Sequence, residues 1–181
     1  MDNIGFQLVF IGLLVLLNGF FAAAEIALIS VRRAALVRRS GEGDRGAQRA
    51  IMLTDDPSSL LATIQIGITL VGFLASASAA VSLAAPIREW LEGFGFTWLT
   101  PLASGLSVLL VTLAVSYLTL VLGELVPKRF GLARAERISI KVSGTIMLVK
   151  RVTAPLVWVL SLSTTFVSRL LGLKELGQAG V

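Results

Sequence analysis

Ser116-Tyr-Leu-Thr-Leu-Val-Leu-Gly-Glu-Leu-Val-Pro-Lys-Arg129 closes the third long apolar run of this chain. Read as a helix, it sets an acid, Glu124, near the end of a segment long enough to cross a bilayer. Proline has no N–H, so Pro127 deprives the carbonyl four residues back, that of Gly123, of its helical donor. A bared carbonyl beside a carboxylate inside a membrane points to a cation site. A second acid, Glu25, stands in the first apolar run. Whether the two acids form one site is the central question of the sequence.

The totals set the class. Of 181 residues, 55% are hydrophobic, and the mean hydropathy is +0.86. A soluble domain of this size needs far more polar surface, so the chain reads as one compact, all-α integral membrane domain over 1–181. The net charge of +5 comes from cations placed beside apolar runs, not from a separate basic domain, and nucleic acid is not an expected partner. Cysteine and histidine are both missing from the sequence. That removes thiolate and imidazole ligands, so any metal must be held by oxygen. With no Cys or His and no nucleophile beside a base, an enzyme is not expected. The first run lacks a basic leader, and its cations follow it, so it reads as a retained helix.

Three runs are long enough to span a hydrocarbon core of about 30 Å: 4–31, 58–85 and 98–126. Trp90 and Trp98 flank the connector 86–97 as interfacial aromatics. The segment between runs one and two carries six arginines, the connector between runs two and three carries one, and nine cations follow run three. The positive-inside rule then sets the N-terminus outside and the C-terminus in the cytoplasm, with three crossings. Residues 47–54 are expected to form a short surface helix, and Asp56 with Pro57 to cap the next one. Over 133–150, Arg134, Arg137 and Lys141 alternate at helical spacing with Ile138, Val142, Ile146 and Val149. This predicts an amphipathic juxtamembrane helix. Residues 155–173 are apolar but short, with Ser161, Ser163, Thr164, Thr165 and Arg169 inside. They extend this juxtamembrane belt as an interfacial helix in preference to a fourth crossing.

An acid in a bilayer costs a few kcal/mol or more unless paired or wetted, so Glu25 and Glu124 are functional candidates. Both fall in the inner half of the membrane. Asn18, Ala22, Glu25 and Ile29 share one helical stripe. Gln65, Thr69, Gly72 and Ser76 share another, and Thr112, Ser116, Thr119 and Gly123 a third. Carboxylates with hydroxyl, amide and carbonyl oxygens suit a hard cation such as Mg²⁺. Plainer readings stand beside this one. Small and polar residues at helical spacing often serve only helix packing. Glu124 and Lys128 have the i, i+4 spacing of an ordinary ion pair. Glu25 has its nearest cations along the helix, Arg32 and Arg33, two turns away. Gly5, Gly12 and Gly19 repeat at seven and read as a close helix contact or dimer seam.

The motifs resemble a known family. Asn18-Gly-Phe-Phe-Ala-Ala-Ala-Glu-Ile-Ala-Leu-Ile-Ser30 followed by Arg32-Arg33, then Ile64-Gln-Ile-Gly-Ile-Thr-Leu-Val71, then Gly123-Glu-Leu-Val-Pro-Lys-Arg129 are similar to the three membrane helices of the CorC/cyclin M proteins. The resemblance implies a homodimer of three crossing helices with a juxtamembrane belt. It also implies Mg²⁺ export coupled to Na⁺ through a site between the helices. Such proteins normally continue into cytoplasmic CBS domains that bind ATP. This chain offers no ATP site and reads as an isolated membrane module. It departs from the family at Ala22, Ala23 and Ala24, where relatives often carry serines, and at Ile68 and Gly72, where they often carry asparagine. Either backbone oxygen and the two acids do more of the coordination here, or the cargo differs.

The expected site is therefore Glu25 and Glu124 for charge and Gly123 for a carbonyl, with Thr69, Asn18 and Ser116 as auxiliary oxygens. Pro127, Gly67 and Gly72 are the expected hinges. The alternatives are an exporter of organic polycations such as polyamines, using Phe20, Phe21 and Phe73, and a cation-sensing module that transports nothing.

Overall fold

The computed structural model describes residues 4–93 and 100–170, and all regular structure among them is helical. The helices are α1 (Ile4–Ser30), α2 (Arg33–Gly41), α3 (Arg45–Thr54), α4 (Pro57–Glu92), α5 (Thr100–Leu120), α6 (Val126–Ala133) and α7 (Ala135–Leu170). A π-turn, Val121–Leu125, joins α5 to α6 without interrupting the helical path. Trp98 and residues 171–173 of the expected belt lie outside the described residues.

α1 is the central helix. Its buried stripe includes Leu14, Phe21, Ala24 and Leu28, which join Leu60, Ile64 and Val71 of α4. Further along, Ile11 and Val15 meet Ala79 of α4 and Val111 and Val115 of α5. Small residues let backbones approach, as expected where lipid supplies no hydrophobic drive. A Cβ on Gly67 would lie 2.8 Å from the Phe21 ring, and one on Gly19 would lie 2.9 Å from Cγ of Pro127. Gly12 has open space around it within this chain, so of the glycine repeat only Gly19 is a described contact.

The hairpin between α1 and α4 is more structured than its arginines suggest. The stretch from Arg33 to Gly41 is itself a helix, with Leu36 fully buried. α3 is a surface helix as expected, with one face in the core: Ala47, Ala50 and Leu53 have no exposed area and pack with Val142 and Ile146 of α7, while Arg45, Gln48 and Met52 are exposed. Asp44 caps α3, accepting from Gly46 N at 2.7 Å and Ala47 N at 3.2 Å. Asp56 caps α4 as expected, accepting from Ser59 N at 3.2 Å behind Pro57. Its other oxygen takes Lys150 Nζ at 3.0 Å. That hydrogen bond, more than the one from Ser59, holds the Asp56 carboxyl below the usual carboxylate range.

Two boundaries and one count need correction. The connector expected at 86–97 is helical as far as Glu92, because α4 runs through Pro86. One lost helical bond is tolerable where neighbours compensate. The belt expected as two pieces over 133–150 and 155–173 is one helix, with Pro155 inside it. The count of three also changes: α1, α4, the α5–α6 segment and α7 are all long and apolar enough to cross a membrane. The front half of α7 is amphipathic, with Val142 and Ile146 buried and Arg137 and Lys141 exposed. Its back half exposes Leu156, Trp158, Val159, Leu162 and Phe166, with Ser161, Thr164, Thr165 and Ser168 along one stripe. Thr153, Ser163 and Thr164 donate their hydroxyls to carbonyls four residues back at 2.8–2.9 Å, which hides them from hydrocarbon. By length and composition α7 suffices to cross a bilayer. Single cysteines over 156–167 in this cysteine-free chain should be uniformly protected from a membrane-impermeant maleimide. Protection recurring every three or four residues would restore the interfacial reading.

Candidate functional site

The site is a seam where α1 crosses the π-turn and α6. Glycines set its width. A Cβ on Gly131 would meet Cγ2 of Ile26 and lie 2.5 Å from the Ala23 carbonyl oxygen, and one on Gly123 would lie 3.1 Å from the Val15 carbonyl oxygen. At the π-turn, Val126 N–H reaches back to Val121 O, so this turn takes in one extra residue and is wider than an α-turn. The donor that Pro127 cannot supply to Gly123 comes from α1. Asn18 Nδ2 donates to Gly123 O at 2.9 Å, and Asn18 is 2% exposed. The bared carbonyl read from the sequence is thus pinned by an amide from the first helix.

Glu25 and Glu124 do come together, and a cation stands between them. Lys128 Nζ is 2.9 Å from Glu124 Oε1 and 3.1 Å from Glu25 Oε2. The first contact is a well-formed hydrogen bond. The second is an ion pair without hydrogen-bond alignment, and Glu25 Oε2 has no hydrogen-bond partner. The expectation that Glu25 lacks a nearby cation is therefore corrected. Arg32 and Arg33 are remote along α1, but Lys128 reaches it across the seam. Two further buried oxygens, Asn18 Oδ1 and Thr119 Oγ1, have no hydrogen-bond partner either. Buried acceptors without donors are costly. These two and Glu25 Oε2, beside the Glu124 carboxylate, form a set of oxygens that a cation would satisfy.

The remaining expected residues are placed differently. Thr69 is exposed on α4, where its Oγ1 accepts from Gln65 Nε2 at 3.4 Å. Ser116 is exposed on α5. Neither belongs to the buried seam. Gly67 is closed against Phe21, while Gly72 is open, and both lie inside the unbroken α4. Pro127 lies in the first turn of α6 with helical backbone before it. Ala22 and Ala24 are fully buried and Ala23 is half-buried, so two of these three alanines are packed shut. Thr119 was legible as a stripe member, and its nearness to Gly123 follows from the i, i+4 rule. Lys128 opposite Glu25 was not legible, because that pairing depends on how two helices cross.

Among the described residues no three carboxylates or other strong metal-binding side chains cluster, so the seam has two charged ligands supplemented by neutral oxygens. A separate crevice of about 620 Å³ lies between the start of α1, the end of α4 and α5. Its walls are aliphatic, including Leu8, Leu13, Leu83 and Leu118. It offers a cation no oxygen, so it is not a cargo site.

The family model for the cyclin M transmembrane N-terminal domain matches residues 8–180. The chain belongs to the cyclin M family. The cyclin M relatives include the Synechocystis UPF0053 protein sll0260, 40% identical over 95% of this chain and 38% of its own length. The polyamine export protein of Haemophilus influenzae is 28% identical over 80% of this chain and 33% of its own length. The Escherichia coli UPF0053 inner membrane protein YfjD is 25% identical over 87% of this chain and 33% of its own length. The chain spans about two fifths or less of the length of these curated relatives. With its several long apolar helices, this cyclin M domain is a multi-pass membrane protein.

Proposed function

We propose that this domain carries cations across the cell's inner membrane along the seam between α1 and the α5–α6 segment, with Mg²⁺ as the exported ion and Na⁺ as the coupling ion. The observation that carries the reading is the convergence of Glu25 and Glu124, from different helices, on one positive charge. Isolated carboxylates at this depth are costly, and a transported cation gives them a purpose. Asn18, Thr119 and Gly123 add neutral oxygens. Mg²⁺ gives up water reluctantly and needs oxygens at about 2.0–2.1 Å. It therefore arrives partly hydrated, and the seam tightens around it. In this reading the N-terminus is outside, the arginine-rich hairpin of α2 and α3 is cytoplasmic, and two copies form a homodimer. CBS domains that follow this domain are cytoplasmic when α7 does not cross; a crossing by α7, which the maleimide pattern tests, carries the C-terminus and any such domains outside.

A second reading is favoured by a specific observation. The group that fits between the two acids here is a primary ammonium, and one relative is named a polyamine export protein. A diamine would present the same chemistry. The two readings separate in one assay. MgCl₂ should raise the unfolding temperature of the purified chain, and Glu124→Gln should abolish that protection. Protection by putrescine with none by Mg²⁺ would select the polyamine reading.

A further inference from the structure

Lys128 belongs to the chain, yet it occupies the position that a cargo cation needs. Its ammonium lies 2.9 Å from Glu124 and 3.1 Å from Glu25. It stands on α6 one residue beyond Pro127, and its side chain remains about a third exposed (32%). A lysine has a long flexible stem and can move its charge to water while the stem stays in place. We propose that Lys128 is a tethered substitute for the cargo, latching Glu25 to Glu124 when no cargo is bound and leaving when a cation of higher charge arrives. This rests on the cation-transport reading and adds the competitor that cargo must displace.

Charge arithmetic supports displacement over simple addition. Two carboxylates and one ammonium leave the seam with one net negative charge. A divalent ion that joined them would lie beside the ammonium and reverse the sign. A divalent ion that replaces the ammonium leaves the seam neutral. Inside a membrane, where charges interact strongly, the neutral arrangement is favoured. A monovalent ion exchanging for Lys128 gains nothing in charge, so the latch also selects for divalent ions or dications. Between cargo events the ammonium keeps two carboxylates from facing each other uncompensated, which would destabilise the crossing of α1 and α6.

The latch weakens apparent affinity by the fraction of time it is closed. A latch closed about nine tenths of the time costs about tenfold. Lys128→Met keeps the stem and removes the charge, so MgCl₂ titrated against the full chain in detergent should bind about tenfold more tightly. Lys128→Arg, with a fork-shaped cation that pairs more firmly with carboxylates, should bind more weakly than the native chain. A merely structural lysine would weaken binding in both variants, and that result would overturn the proposal. The native protein gives a second readout that does not depend on variants folding. Labelling of Lys128 by an amine-reactive reagent, read by mass spectrometry, should rise severalfold with saturating MgCl₂ but not with choline chloride at equal ionic strength. Lys150, paired with Asp56, serves as the reference. Cation binding with unchanged Lys128 labelling would sink the latch and leave the transport reading intact. Binding that emerges only in Lys128→Met would support a latch that is almost always closed. If neither the native chain nor Lys128→Met binds any cation, both ideas fall.

Discussion

Gly131→Ala is expected to destabilise the folded domain by about 3 kcal/mol, at the upper end of the usual range for an overpacked core. The new methyl would meet Ile26 Cγ2 and the Ala23 carbonyl oxygen, with Ala23 Cα 3.1 Å away. Ile26 can rotate, but two of these three atoms are backbone of α1 and cannot yield without moving the helix. Gly12→Ala is the internal comparison, since a Cβ there meets nothing within 4 Å and alanine favours helix by about 1 kcal/mol. Denaturant unfolding of the two variants in one detergent measures the difference. Equal stabilities would mean that α1 and α6 do not cross at Ala23 and Gly131.

Asn18→Ala is the second large effect, and it acts on stability and binding together. Asn18 is buried, and its Nδ2 gives Gly123 O the donor that Pro127 cannot. Removing it strips a buried carbonyl of that donor, at about 1–3 kcal/mol. It also deletes Oδ1, an unpartnered oxygen of the seam. Asn18→Asp keeps an oxygen but loses the donor and points a carboxylate at a carbonyl, so it should be no more stable than Asn18→Ala. Cation protection should weaken in Asn18→Ala beyond what the lost stability explains. If Mg²⁺ or putrescine protects Asn18→Ala as strongly as the native chain, the amide is only a structural brace.

Much of this was legible in the sequence, and the limits have physical causes. The long apolar runs, the Asp56 cap and the amphipathic front of α7 are local or periodic features, and periodicity is what sequence carries most directly. The gap below Gly123 was readable because a missing N–H belongs to Pro127 itself. What filled that gap was not readable, since Asn18 lies 105 positions away and meets Gly123 only through the helix crossing. The same holds for Lys128 and Glu25. Thr69 and Ser116 were chosen as stripe members, but a stripe fixes which residues share a face and not which way the face turns. α3 does lie at the surface, with Arg45, Gln48 and Met52 exposed, but Ala47, Ala50 and Leu53 form a buried face against α7, a partner distant in sequence. The fourth long helix reads from sequence as interfacial because its apolar stretch is short and a crossing would carry the chain's end outside. Hydroxyls that bond back to their own helix cost little in hydrocarbon, and α7 uses that device.

The central claim is that Glu25 and Glu124 together hold a transported cation, and flux through the reconstituted full chain tests it most directly. Vesicles loaded with a Mg²⁺-sensitive dye and given a Mg²⁺ gradient, with parallel vesicles given labelled putrescine, should show cation movement with the native chain. They should show none with the Glu25→Gln/Glu124→Gln double variant, which keeps shape and hydrogen bonding but removes both charges. Equal flux from the native chain and the double variant would contradict the account.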